Sequence, residues 1–177
     1  MTEEYIREIK SVQPDGPYTI CGMCFGGWIA FEMARQLTTA GEEVGRLIIF
    51  DSGGPRRAKS PPGKASKWFW KNPRLVNIVH SLSRMALDGE SKRIKKAAQH
   101  HRFLKRNYVP ETYEGGILFL RSEEFDKDQK LRRHIGYWNE VCKQGVESHL
   151  VPGGHGNILQ APQVFEAARI VKGAMNS

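Results

Sequence analysis

The run Gly22-Met23-Cys24-Phe25-Gly26 constrains this chain more than any other feature, because it joins an apolar segment, Tyr18 to Gly22, to a helix-patterned one, Trp28 to Leu37. It is the pattern G-x-S-x-G with cysteine in the serine position, and it predicts a strained turn from strand into helix with Cys24 at the apex. Glycines two residues to either side are expected to let the helix pack closely on the strand, and Gly27 to add clearance. A thiol at that point sits at a helix N-terminus, where backbone N–H groups favour negative charge on sulfur and on a developing oxyanion. The position suits nucleophilic attack.

The flanks extend the unit. Leu37 to Gly41 reads as a helix end closed by a glycine, and Arg46-Leu47-Ile48-Ile49-Phe50-Asp51 as a buried parallel strand. Upstream, Glu3 to Val12 carries Tyr5, Ile6, Ile9 and Val12 at helical spacing before Pro14-Asp15-Gly16-Pro17 breaks it. Downstream, Gly116 to Arg121 is another buried strand, followed by a charged turn from Glu123 to Lys130 and a polar helix from Leu131 to Val141. Val146 to Pro152 reads as the last strand, and Ala161 to Lys172 as a closing amphipathic helix with Pro162 in its first turn.

Strands alternating with helices imply a parallel sheet covered on both faces, with chemistry at the C-terminal ends of the strands. Three loops at those ends hold suggestive side chains: Cys24, then Asp51, then His155 in Pro152-Gly153-Gly154-His155-Gly156. Nucleophile, acid and histidine in that order are the order of the α/β-hydrolase triad. His80, His100, His101 and His134 fall in charged segments and His149 within a strand, so His155 is the candidate base. Asp51 competes for the acid role with Glu123, Glu124 and Asp126, which follow the next strand. Its structural alternative is a carboxylate accepting N–H bonds from the Ser52-Gly53-Gly54 turn.

At 177 residues and 40% hydrophobic, the chain is long enough for one core and is expected to form one domain, 1–177. No signal peptide and no long uncharged apolar run is present, which points to a cytoplasmic location without a membrane. Cys21, Cys24 and Cys142 make neither a disulfide framework nor a spaced metal site, and Cys21 and Cys142 are expected in the core. The net charge of +8 is concentrated between Arg56 and Arg106, where basic residues far outnumber Asp88 and Glu90. That stretch, 56–106, reads as a basic helical lid inserted above the core, either as a solvated surface or as a docking face for an acidic protein or a phosphate-bearing ligand. It has no recognisable nucleic-acid-binding motif, and nucleic acid is not an expected partner.

Gly16 to Gly27, Leu47 to Asp51, Tyr113 to Arg121, Gly136-Tyr137-Trp138 and Val151 to His155 together resemble the terminal thioesterase domains of nonribosomal peptide and polyketide synthetases. The resemblance spans nearly the whole chain. It implies an α/β-hydrolase-like parallel sheet flanked by helices, with Cys24, Asp51 and His155 at the triad positions, and it ranks Asp51 over Glu124. It further implies release of an acyl or peptidyl chain from a carrier protein, with the substrate arriving on a phosphopantetheine arm and no cofactor or metal bound.

Two departures stand out. Serine is the usual nucleophile of the family, and the family's domain normally begins with further strands and a loop that gives the second oxyanion donor, so the sheet reads as N-terminally truncated. Phe25 N–H is expected to supply one donor. The strand Tyr18 to Gly22 is expected to be a sheet edge, covered by a missing N-terminal segment or by a second copy in a homodimer. The competing expectation is a catalytically silent α/β-hydrolase-like binding domain.

Overall fold

A computed structural model of the chain describes residues 2–55 and 108–176. The expected lid, 56–106, lies outside the described residues, as do His80, His100 and His101. The elements below belong to one unit built from residues 1–56 and 110–177. They run α1 (Thr2–Val12), β1 (Tyr18–Met23), α2 (Phe25–Thr39), β2 (Val44–Phe50), β3 (Ile117–Ser122), α3 (Glu123–Lys127), α4 (Gln129–Val141), β4 (Val146–Val151) and α5 (Gln163–Met175).

The four strands form one sheet in the order β1-β2-β3-β4, every pair parallel. All the loops that leave strand ends in the forward direction therefore emerge on one side of the molecule, which gathers residues distant in sequence. Both faces of β2 are covered, which explains its unbroken apolar run. Ile48 and Phe50 join Leu118, Leu120, Val151, Ile158, Ala167 and Ile170 in a core beneath α5. Ile49 points the other way, and its Cγ2 is 3.0 Å from where a Cβ on Gly27 of α2 would stand. Each such side chain contributes about 1.5–3 kcal/mol on burial.

Aromatic rings join the helices on the α2 side. Phe31 of α2 packs at 5.2 Å on Trp138 of α4 and edge-on at 6.0 Å on Tyr113, all three buried. The helix from Leu131 expected to be polar thus carries one fully buried anchor. Helix α2 ends as the sequence indicated: Gly41, at φ 84°, donates to Thr38 O at 3.1 Å and Glu42 N donates to Leu37 O at 3.0 Å, the two bonds of a Schellman cap.

Two expectations are corrected. Cys21 is exposed, because β1 is the sheet's edge and its residue 21 faces outward, whereas Cys142 is buried as expected. Burial pushes the Cys142 thiol up to about 12. The charged turn after β3 is the short helix α3, because Ser122 Oγ accepts from Phe125 N at 3.2 Å and caps it while Phe125 packs on Phe119 at 5.6 Å. The helix expected over Glu3 to Val12 is α1, and its apolar stripe is only partly covered, with Val12 87% exposed and Tyr5 45% exposed.

Candidate active site

Cys24 stands between β1 and α2 at φ 54°, ψ −119°, a conformation that side chains other than glycine seldom adopt and that costs about 1–3 kcal/mol. Neighbouring groups hold it there. Its N–H donates to Phe50 O at 3.0 Å, and the Ser52 hydroxyl donates to its carbonyl at 2.5 Å. The glycine pattern is asymmetric in a way the motif does not reveal. A Cβ on Gly22 would collide with Gly26 O and lie 2.8 Å from Gly27 N, and one on Gly27 would lie 2.7 Å from Ser52 Cβ. At Gly26 a Cβ would meet nothing within 4 Å, so Gly22 and Gly27, rather than Gly22 and Gly26, give the elbow its clearance. The thiol itself is exposed, and Phe25 opens the helix behind it.

Asp51 ends β2, also at positive φ, 43°. Its side chain is fully buried. Oδ1 accepts from the backbone N–H of Ser122 at 2.6 Å, a residue of β3, where the sequence suggested the Ser52-Gly53-Gly54 turn. The turn is instead held by two indoles: Trp138 Nε1 donates to Ser52 O at 2.8 Å and Trp28 Nε1 to Gly53 O at 2.7 Å.

Oδ2 of Asp51 is buried and meets no hydrogen-bond donor among the described residues, and His155 Nδ1 lies 3.4 Å away. That separation is slightly longer than a formed N–H···O bond. His155 follows β4 on a glycine loop and its side chain is 44% exposed. The nearer ring nitrogen thus faces the acid.

Glu124, the rival acid, meets the same histidine differently. Its Oε2 accepts from the backbone N–H of His155 at 2.9 Å. Glu123 is exposed, and Asp126 pairs with Arg121 at 2.8 Å. His149 pairs with Glu147 at 2.7 Å on β4. Among the described residues no group of three His, Cys, Asp or Glu is arranged to hold a metal ion, and no helix is long and apolar enough to cross a membrane.

A separate open groove of about 530 Å³ lies between α1, the outer edge of β1 and α2, with Tyr5, Ile9, Cys21, Ile29 and Met33 among its walls. Cys24, Asp51 and His155 do not line it.

A parallel sheet with an elbow after one strand and loops bearing an acid and a histidine after later ones defines an α/β-hydrolase-like protein. Within that class the thioesterase domain family matches residues 1–171, and the chain belongs to it. The thioesterase domain of NocB, from the nocardicin cluster, superposes with a TM-score of 0.67 at 24% identity, over 100% of this chain and 72% of that one. Malpibaldin synthetase of Mortierella alpina is 29% identical over 88% of this chain. The conidial pigment polyketide synthase PfmaE of Pestalotiopsis fici is 42% identical over 39% of it. The chain spans about 3% of the length of either synthase.

Proposed function

We propose that the chain releases an acyl or peptidyl group from a phosphopantetheine thioester on a carrier protein, through a covalent intermediate on Cys24. The observation that carries this reading is the buried Asp51 Oδ2 aimed at His155 Nδ1, in a fold that also holds the nucleophile position in the elbow conformation. With Nδ1 turned to the acid, Nε2 is the nitrogen left for the thiol and then for the second nucleophile.

In the proposed sequence His155 takes the proton of Cys24 as sulfur attacks the thioester carbonyl. The tetrahedral oxyanion is met by the N–H of Phe25 at the start of α2. Collapse expels the pantetheine thiolate, which recovers the proton from the imidazolium, and leaves an acyl thioester on Cys24. His155 then deprotonates water or a nucleophile within the chain. Its attack breaks the acyl–sulfur bond and returns the proton to Cys24. Asp51 holds the imidazole tautomer and offsets its charge in both halves.

Thioester exchange onto cysteine is nearly balanced, whereas transfer to serine gives a more stable oxygen ester. The cysteine intermediate keeps its activation, which leaves cyclisation and amide formation open as alternatives to hydrolysis. The open edge of β1 enters the same reading as the place where an N-terminal segment or a second copy adds a strand and the second oxyanion donor. The cytoplasm is the compartment this reading assigns.

The test is intact-protein mass spectrometry after incubation with an acyl-pantetheine thioester. Wild type is expected to gain the acyl mass at Cys24 and the Cys24→Ala variant none. Absence of loading in wild type, with the open edge supplied by its covering segment, leaves the silent binding domain as the reading.

A further inference from the structure

Resting on that assignment of His155 and Asp51, we infer that Glu124 is a positioning residue, which sets the imidazole against Asp51 by gripping the backbone of the histidine loop. One short stretch, Ser122 to Glu124, touches both partners. Ser122 N–H donates to Asp51 Oδ1 at 2.6 Å, and two residues later the Glu124 carboxylate accepts from His155 N–H at 2.9 Å. Glu124 N–H also donates to Gly153 O at 3.3 Å, so this residue binds the loop by both backbone and side chain. The segment is fixed in turn by the Ser122 cap on Phe125 and by burial of Phe125.

The loop is shaped to receive the carboxylate. A Cβ on Gly154 would collide with Glu124 Oε2, so the glycine before the histidine is the residue that lets the carboxylate in. Asn157 Oδ1 accepts from Gly154 N at 2.7 Å and closes the other side of the turn. The His155 side chain is 44% exposed, so the backbone of its loop carries much of its aim. Loss of a charge-assisted hydrogen bond at such a point releases the ring from a contact that already stands at 3.4 Å.

The experiment compares wild type with Glu124→Ala, Glu124→Gln and Gly154→Ala, reading the rate of Cys24 acylation against acyl-pantetheine thioester concentration. Glu124→Ala is expected to lower the maximal rate about tenfold with the half-saturating concentration unchanged. Glu124→Gln keeps an acceptor oxygen at the same reach and is expected to recover to within about threefold. Gly154→Ala displaces only the far end of a flexible side chain, so it is expected to fold and to match Glu124→Ala. Wild-type rates in Glu124→Ala, or equal loss in the Ala and Gln variants, overturn the inference.

A second readout does not need turnover. The downfield proton resonance of His155 Nδ1–H against Asp51 is expected in wild type and Glu124→Gln, and to weaken or move in Glu124→Ala. An identical resonance in all three overturns the positioning role even where wild type does not load. Absence of loading with the resonance behaving as expected overturns the acyl-enzyme reading alone.

Discussion

His155 Nδ1 lies 3.4 Å from Asp51 Oδ2, an oxygen that is otherwise buried without a donor. A buried, unpartnered carboxylate oxygen costs on the order of 1–3 kcal/mol, more when charged. Among the described residues, the group that stands nearest to satisfying it is the partly exposed imidazole of His155.

Replacing Asp51 by Asn tests what that oxygen does. Asn tolerates positive φ and retains an oxygen for Ser122 N–H, so the fold is expected to survive. Cys24 acylation is expected to fall about 10³-fold or more through loss of the imidazole's tautomer and charge partner. Circular dichroism alongside single-turnover mass spectrometry checks both halves, and wild-type loading would remove Asp51 from the mechanism.

The elbow glycines are predicted to respond unequally. Gly22→Ala drives a methyl into the backbone at Gly26 and Gly27, and is expected to cost about 3 kcal/mol or prevent folding. Gly26→Ala places its methyl in open space in the first turn of α2, and is expected to be neutral or to stabilise by up to about 1 kcal/mol. Denaturant titration of the two variants distinguishes this from a requirement for both glycines of the motif.

Trp138→Phe keeps most of the ring packing on Phe31 but removes the donor to Ser52 O. The stranded carbonyl is expected to cost about 1–3 kcal/mol. Because Ser52 also supports the Cys24 carbonyl, acylation is expected to slow as well as stability to fall. A thermal melt paired with the loading assay reads both, and a stability loss with no kinetic change would uncouple the indole from the elbow.

Cys142 gives the chain a defined response to alkali. Burial raises its thiol to about 12, above its ordinary value of 9.0, so the native state holds the proton longer than the unfolded state does. Its contribution is complete below about pH 9, and is lost as pH rises from there towards 12. Urea titrations from pH 8 to 11 are expected to show stability falling less steeply in Cys142→Ala than in wild type. Iodoacetamide at pH 8 is expected to modify exposed Cys21 and Cys24 and to spare Cys142, which peptide mass spectrometry resolves.

Local signals proved sufficient at several elements, although the Ser122 cap that makes α3 a helix was read as a charged turn. The apolar run from Leu47 to Phe50 could only be a strand covered on both faces, and Gly41 closes α2 because a left-handed residue is needed there. Cys21 reads as a core residue by type but faces out from the sheet edge, a matter of what lies beside β1 rather than of the residue. Gly26 likewise matches the motif while Gly27 faces Ser52, and only packing distinguishes them.

Glu124 shows the limit most clearly. Its position after β3 makes it a credible triad acid in sequence, and the fold brings it to the same histidine, but to the backbone N–H instead of the ring.

The sequence by itself determined the four strands, their parallel pairing, the helices α1, α2, α4 and α5 and the three loops that carry Cys24, Asp51 and His155, because strand pattern, helix pattern and turn chemistry are properties of neighbouring residues. Only the tertiary structure decided which carboxylate faces the imidazole, which glycines the elbow needs and which tryptophans hold the acid's loop. Those depend on contacts at the few-ångström scale between segments far apart in the chain, and nothing in the local pattern fixes such distances.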